Sequence, residues 1–378
     1  MLIFYLICTL YAVLILSLIY GWKRIPYFSS EGLPSQHYFS IIIPFRNEAE
    51  NLPDLLKSIA EINYPASKFE ILMINDASED TGVAIIKNFQ QKYPEIQLKI
   101  IANKRFTNSP KKDAIHTAIN EAKFDYTLTT DADCQLPIKW LQVYNDFLIR
   151  TESTLVAGQV ALRPTQKLSQ IFEEIDVFSL QATTGGAFGI KKSFFCSAAN
   201  LCYKKQAFFE VSGYEGNTEI ASGDDVFLLQ KFQQKNYKIS FLKNNESIVY
   251  TKAQKSFKNL ISQRLRWASK TPSYTSLFAK FAGIVVLLMN FSLLVTVILS
   301  LFQMINFGII LLVFIVKICL DFTLIYQSAV TFNRKKALIH YWWSSIFYPF
   351  FSSFVAIKTL FSSYSWKGRT FNPHNSRD

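Results

Sequence analysis

Cysteine is scarce in this chain of 378 residues: there are five, and no two form a Cys-x-x-Cys pair. The odd count, with Cys8 and Cys319 inside apolar segments, excludes a disulfide framework and a zinc-ribbon site and suits a reducing compartment. The net charge of +12 comes without the basic–aromatic motif of a nucleic-acid binder, so nucleic acid is not an expected partner and anionic lipid headgroups account for the excess. Internal repeats and low-complexity tracts are missing too. Residues 1–20 contain no charge, and they lack the basic start and small-residue cleavage site of a signal peptide. They read as a retained membrane anchor, since about 20 apolar residues span a bilayer as a helix.

Two further apolar runs, 282–303 and 307–326, have the length and composition of spans, and 340–361 is apolar and strongly aromatic. Lys23 and Arg24 follow the first span, Lys280 precedes the second, and Arg334, Lys335 and Lys336 follow the third. The positive-inside rule then expects a multi-pass protein of the cell membrane with its middle domain in the cytoplasm. A full crossing by 340–361 would put the basic tail outside, so an interfacial or re-entrant segment is expected there, with a fourth span as the alternative. Ser345, Ser352, Thr359 and Ser363 on one helical stripe, and Pro349 within the run, fit a surface helix. Lys317 and Asp321 lie four apart inside the third span and are expected to neutralise each other facing neighbouring helices. The expected domains are an anchor (1–22), a cytoplasmic domain (23–276), two spans (277–330), and a basic loop, aromatic segment and tail (331–378).

The middle of the chain alternates short apolar runs of strand length (39–43, 70–74, 97–102, 126–130) with helical stretches (51–60, 81–93, 111–122). That alternation implies βαβ units, an α/β class and a mainly parallel sheet, whose ligands bind beyond the carboxyl ends of the strands. Polar residues stand at those ends: Pro44-Phe45-Arg46-Asn47-Glu48, Asn75-Asp76-Ala77-Ser78 and Asp131-Ala132-Asp133. Taken alone, each has a plain structural reading. Asp131 and Asp133 can cap a helix, Asn75–Ser78 can form an Asx turn, and Asp224 and Asp225 can charge a helix N-terminus. Arg264, Arg266 and Trp267 can anchor a chain at a membrane interface.

The five segments in this order resemble the family-2 glycosyltransferases, whose nucleotide-sugar-binding domain has the GT-A fold. The resemblance covers about 38–267 and implies an inverting hexosyltransferase. It makes Pro44, Asn47 and Glu48 the Pro-x-x-Asn-Glu element and Asp76 the base-binding aspartate, a uracil acceptor if the donor is a UDP-sugar. Lys112 becomes the basic residue near the nucleotide, and Asp131-Ala132-Asp133 the DxD, with Asp133 the direct ligand of Mg2+ or Mn2+ and Asp131 bound through water or to the ribose. Asp225 becomes the general base beside Asp224. Gln263, Arg264, Arg266 and Trp267 fall in the Q-x-x-R-W element, in which arginine neutralises the leaving diphosphate and the indole walls the acceptor pocket. Gly185, Gly186 and Asn200 fall where relatives build that pocket, and Trp366-Lys367-Gly368-Arg369 resembles a W-x-G-R element that follows the membrane region. Phe227 departs from the pattern, which has an acidic residue there.

The expected partners are a nucleoside diphosphate sugar, a lipid acceptor and the membrane. A processive polysaccharide synthase, which would need a conduit or a partner subunit, and a non-catalytic scaffold are the alternatives.

Overall fold

The computed structural model describes residues 1–220 and 222–361, together with the backbone of 364–366 and 369–371. The chain divides into a sheet unit, Pro26–Arg163 with Phe195–Lys252, and a helical unit, Met1–Ile25 with Pro164–Phe194 and Ala253–Asp378. Residues 164–194 and 253–276, expected within the cytoplasmic domain, therefore group with the apolar helices.

In chain order the elements are α1 (Leu2–Arg24), β1 (Phe39–Phe45), α2 (Leu52–Ala60), β2 (Phe69–Asn75), α3 (Gly82–Lys92), β3 (Leu98–Ala102), α4 (Pro110–Glu121) and β4 (Tyr126–Thr129). Next come α5 (Trp140–Thr151), β5 (Leu155–Ala157), β6 (Val160–Leu162), α6 (Leu168–Gly189), β7 (Leu201–Lys204), α7 (Lys205–Glu210), α8 (Asp224–Gln234), β8 (Ile239–Phe241) and β9 (Val249–Thr251). Last are α9 (Phe257–Ala268), α10 (Leu277–Leu301), α11 (Phe307–Thr331), α12 (Tyr341–Thr359), β10 (Tyr364–Trp366) and β11 (Arg369–Phe371).

The sheet unit is built on seven strands in the order β3-β2-β1-β4-β7-β5-β8. β3, β2, β1 and β4 run parallel; β7 is antiparallel to both β4 and β5, and β8 is parallel to β5. A short second sheet pairs β6 with β9 in parallel. The near-continuous apolar strands reflect burial on both faces: Ile41, Ile42 and Ile43 on β1 and Ile71, Leu72 and Met73 on β2 are fully inaccessible. Side chains of one core, including Leu128, Trp140 and Tyr144, close over Ile41, Ile43, Ile71 and Met73. The extended segment before β1 is tied down by α5. Asp146 accepts from Ser30 Oγ, Glu31 N and Gly32 N, and Asn145 Oδ1 accepts from Gln36 N and His37 N. Both α5 side chains are buried, and these donors are what make that burial tolerable.

In the helical unit, α1, α10 and α11 are long and apolar enough to cross a membrane. Lys317 and Asp321 on α11 pair at 2.6 Å, and Tyr11 on α1 donates its hydroxyl to the same carboxylate at 2.6 Å. The two charges within α11 thus neutralise each other against a neighbouring helix. α12 runs unbroken through Pro349. Its Phe351 and Val355 pack with Phe172 of α6 and with Leu260 and Leu265 of α9, while Trp342, Ile346, Phe350, Phe354 and Ile357 form an exposed apolar stripe. Ser345 and Thr359 bond back to carbonyls of their own helix, Trp342 and Val355. Ser363, Lys367 and Gly368 lie outside the described residues. The backbone of β10 and β11 pairs antiparallel, with Trp366 opposite Arg369.

Candidate functional site

The site residues of the sheet unit converge because three adjacent parallel strands end together. β1 and β2 are in register with Phe45 opposite Asn75, and β4 lies on the other side of β1. Their first loops are stitched to each other. Arg46 Nη1 donates to the carbonyls of Asp76 (2.8 Å) and Ala77 (3.0 Å), Asn47 N donates to Ser78 Oγ (3.2 Å), and Glu79 N returns a bond to Asn47 Oδ1 (2.9 Å). Asn47 and Ala77 take the left-handed conformation, with φ of 51° and 56°, a strain held in place by these cross-loop bonds. Pro44 precedes this turn within β1, where its missing N–H spares the chain a ladder donor. Glu48 is buried and accepts from Asn51 Nδ2 at 2.5 Å.

Asp76 is 8% exposed and already oriented: its Oδ1 accepts from Asn103 Nδ2 at 2.8 Å, and Arg105 Nη1 stands 3.7 Å away. A fixed carboxylate beside a partly exposed guanidinium can accept from a base N–H. Asn103 and Arg105, on the loop after β3, were not singled out in the sequence; an Asn-Lys-Arg run after a strand carries no distinctive signal.

The acidic centre is organised by a lysine that sequence reasoning passed over. Lys111 Nζ lies 2.7 Å from Asp131 Oδ1 and 3.3 Å from Asp224 Oδ2. Burial alone would lower its pKa, but the carboxylates of Asp131, Asp224 and Asp225 outweigh burial and raise it above the ordinary value, so it stays an ammonium. Lys112, the expected nucleotide contact, points elsewhere. Its Nζ donates to the carbonyls of Asn217 (2.6 Å) and Ile220 (2.7 Å), and the ring centroid of Phe227 is 4.8 Å away. Successive helix residues diverge by about 100°, so only one of the pair can face the acids.

Asp131 is partly exposed and Asp133 is half-buried in the turn that Cys134 N closes onto Asp131 O. Asp224 and Asp225 begin α8 after Gly223, whose φ of 86° suits glycine at that entry. Asp225 Oδ1 accepts from Val226 N at 2.7 Å, and Oδ2 lies 3.4 Å from Ala198 N. These carboxylates are hard oxygen donors of the kind Mg2+ and Mn2+ take. Among the described residues no cluster of three or more His, Cys, Asp or Glu side chains stands ready to hold a metal. One or two protein carboxylates, with the rest of the shell from phosphate and water, is the arrangement this donor set fits.

Other expected site residues have different jobs. Asn200 is fully buried. Its Oδ1 accepts from Trp140 Nε1 and Tyr144 Oη (both 2.9 Å), and its Nδ2 donates to the carbonyls of Gln159 and Ser247, which leaves no hydrogen for an acceptor sugar. Gly185 and Gly186 lie inside α6, not in a turn, and Gly186 meets the backbone of α1: a Cβ there would be 2.5 Å from Leu18 O. Gln263, Arg264, Arg266 and Trp267 belong to α9 in the helical unit. There Arg264 is buried, bonded by Nε to Asp176 Oδ2 at 2.7 Å, and stacked 4.3 Å from the Trp267 ring. Arg264 also donates to Gln263 Oε1. Its charge is paired with Asp176.

The family model of glycosyl transferase family 21 matches residues 3–377. Glycosyltransferase AglE of Haloferax volcanii is 24% identical over 204 residues, covering 54% of this chain and 64% of the relative. Poly-beta-1,6-N-acetyl-D-glucosamine synthase of Staphylococcus epidermidis is 25% identical over 262 residues, covering 65% and 58%. The chain thus spans about three-fifths of the length of these curated relatives. Among solved structures, mannosyltransferase PcManGT from Pyrobaculum calidifontis, in complex with GDP-Man and Mn2+, aligns over 95% of this chain and 99% of its own with a TM-score of 0.57 and 15% identity. That likeness confirms the glycosyltransferase α/β fold.

Proposed function

The chain belongs to glycosyl transferase family 21, and from that premise we propose that it moves one sugar, with inversion, from a nucleoside diphosphate sugar to a lipid held at the cytoplasmic face of a membrane. The single observation that carries the reading is the convergence of Asp76, Asp131, Lys111, Asp224 and Asp225 beyond the ends of β1, β2 and β4, one position for a base, a diphosphate and an attacking hydroxyl. Three apolar helices in the same chain support a lipid acceptor, because an enzyme acting on a soluble acceptor gains little from them. The exposed cations at the ends of those helices support the cytoplasmic orientation.

In this reading Asp76 takes the ring N–H of the base, which favours a UDP-sugar. Asp225 removes the proton of the acceptor hydroxyl, which must come within about 3 Å of the carboxylate. The hydroxyl oxygen bonds to the anomeric carbon on the face opposite the diphosphate, whose C–O bond breaks and which leaves with the electron pair. Mg2+ or Mn2+, held by Asp133 and Asp131 together with the diphosphate, would supply electrostatic stabilisation of that leaving charge. Lys111 adds a positive charge at the same place.

The test is release of nucleoside diphosphate by the purified full chain across a panel of donors, with Mn2+ or Mg2+ and membrane lipid. The expected result is metal-dependent and lipid-dependent release that falls about 10²–10⁴-fold in Asp225→Asn. A ladder of long glycans would replace this reading with processive synthesis, which the likeness to a poly-N-acetylglucosamine synthase keeps as the second reading. Donor binding without any release would replace it with a non-catalytic scaffold.

A further inference from the structure

Lys112 is among the largest fully buried side chains of the molecule, at 1% exposure. Burying an ammonium is costly unless its donors are engaged, and here two backbone carbonyls, Asn217 O and Ile220 O, receive them. Both belong to the stretch 211–223 that joins α7 to α8, in which Gly213, Gly216 and Gly223 all have positive φ. Its first part carries turn bonds of its own, Glu215 N to Ser212 O and Asn217 N to Tyr214 O, and takes Lys231 Nζ on Gly213 O, which leaves 217–220 as the part that meets α4. The start of α4 holds it from outside at four points: Lys112 on two carbonyls, Ser109 Oγ on Ile220 O at 3.1 Å, and Asn108 Nδ2 on Glu219 Oε2 at 3.1 Å. Lys112 also faces the ring of Phe227 on α8, and its neighbour Lys111 holds Asp224.

We propose that Lys112 is a positioning residue: by clamping residues 217–220 and the first turns of α8 to α4, it sets where Asp225 stands. It does not bind the donor. The proposal rests on the reading of Asp225 as the base, but it makes a claim about the loop that stands apart from that reading.

The clamp separates two quantities that a donor-binding lysine would move together. Lys112→Met keeps the length of the stem and removes every donor. In the full-length protein, hydrogen exchange across 212–222, affinity for nucleoside diphosphate and turnover are measured side by side. The expected result is faster exchange confined to 212–222 and turnover reduced about tenfold to a hundredfold, the scale of a misplaced catalytic group. Nucleoside diphosphate affinity should stay within about twofold of the parent, as required of a group that touches no donor. Ser109→Ala, which removes one bond to Ile220 O, should move exchange and turnover in the same direction by less; if Lys112→Met fails to fold, this variant decides by the same criteria. Weakened nucleotide affinity with unchanged exchange would overturn the proposal and return Lys112 to the donor site. Unchanged exchange with unchanged affinity would overturn it as well. If the parent shows no turnover with any donor, the glycosyltransferase reading fails, while exchange and affinity still decide what Lys112 does.

Discussion

The adjacent lysines 111 and 112 show what a residue type can and cannot announce. A basic residue before the DxD was legible, but which of two neighbours faces the acids depends on the rotation of α4, which spacing alone leaves open. Lys111→Met removes the cation between Asp131 and Asp224. We expect nucleoside diphosphate affinity to fall about tenfold, or 1.4 kcal/mol, with Lys111→Arg retaining most of it; titration calorimetry with and without Mn2+ reads the change. Glu173 offers a test of a different kind. It is buried on α6, and burial, opposed by a bond from Gln254 N and by Arg264 and reinforced by Asp176, raises its pKa from 4.5 to about 7. The folded state therefore holds this proton where the unfolded chain has lost it. Stability from this group is complete below 4.5 and declines as the pH climbs to about 7. The neighbouring acids Glu174 and Asp176 are paired with Arg334 and Arg264. Glu173→Gln should flatten the pH dependence of thermal unfolding between 4.5 and about 7, and an unchanged slope would assign that dependence to another group.

At the scale of elements, strands and helices with clean periodicity were placed within a residue or two: the runs at 39–43 and 70–74 became β1 and β2, and that at 111–122 became α4. α6 was not legible as what it is. Its Gly185-Gly186 pair reads as a turn because glycine weakens isolated helices, yet both sit within a 22-residue helix. The physical reason is close approach. A Cβ on Gly186 would meet Leu18 O at 2.5 Å, and one on Gly189 would meet Gly21 O at 1.8 Å, so α1 and α6 touch backbone to backbone. The sign of a substitution tests this. Alanine for glycine in a free helix stabilises by up to about 1 kcal/mol, whereas here Gly186→Ala and Gly189→Ala should each destabilise by about 1–3 kcal/mol through overpacking. Thermal unfolding in detergent distinguishes the two. Asn200 missed its expected role for a related reason: whether a buried amide is spent on Trp140, Tyr144 and two carbonyls is settled by side chains remote in sequence.

For the whole molecule, the excess of basic residues is not spread over the surface. The helical unit carries 19 Lys and Arg against 5 Asp and Glu, a net of +14, whereas the sheet unit carries 21 against 23, a net of −2. The acidic sheet unit and the basic helical unit are hard to separate in the sequence, because 164–194 is cut out of the middle of the former. Lys23 and Arg24 end α1, Lys191 and Lys192 follow α6, and all four are exposed. The Gly21–Gly189 approach brings these two helix ends together, so their charges add in one place. Anionic headgroups near a membrane surface interact with each such cation by about 1 kcal/mol. Purified protein in neutral detergent should therefore gain thermal stability when anionic phospholipid is added and not when zwitterionic lipid is. The gain should fade in 1 M salt, where screening falls to about 3 Å, and shrink when Lys191 and Lys192 are both changed to Gln. Stabilisation indifferent to headgroup charge would mean that these cations only direct insertion, and that the +14 has no partner in the mature protein.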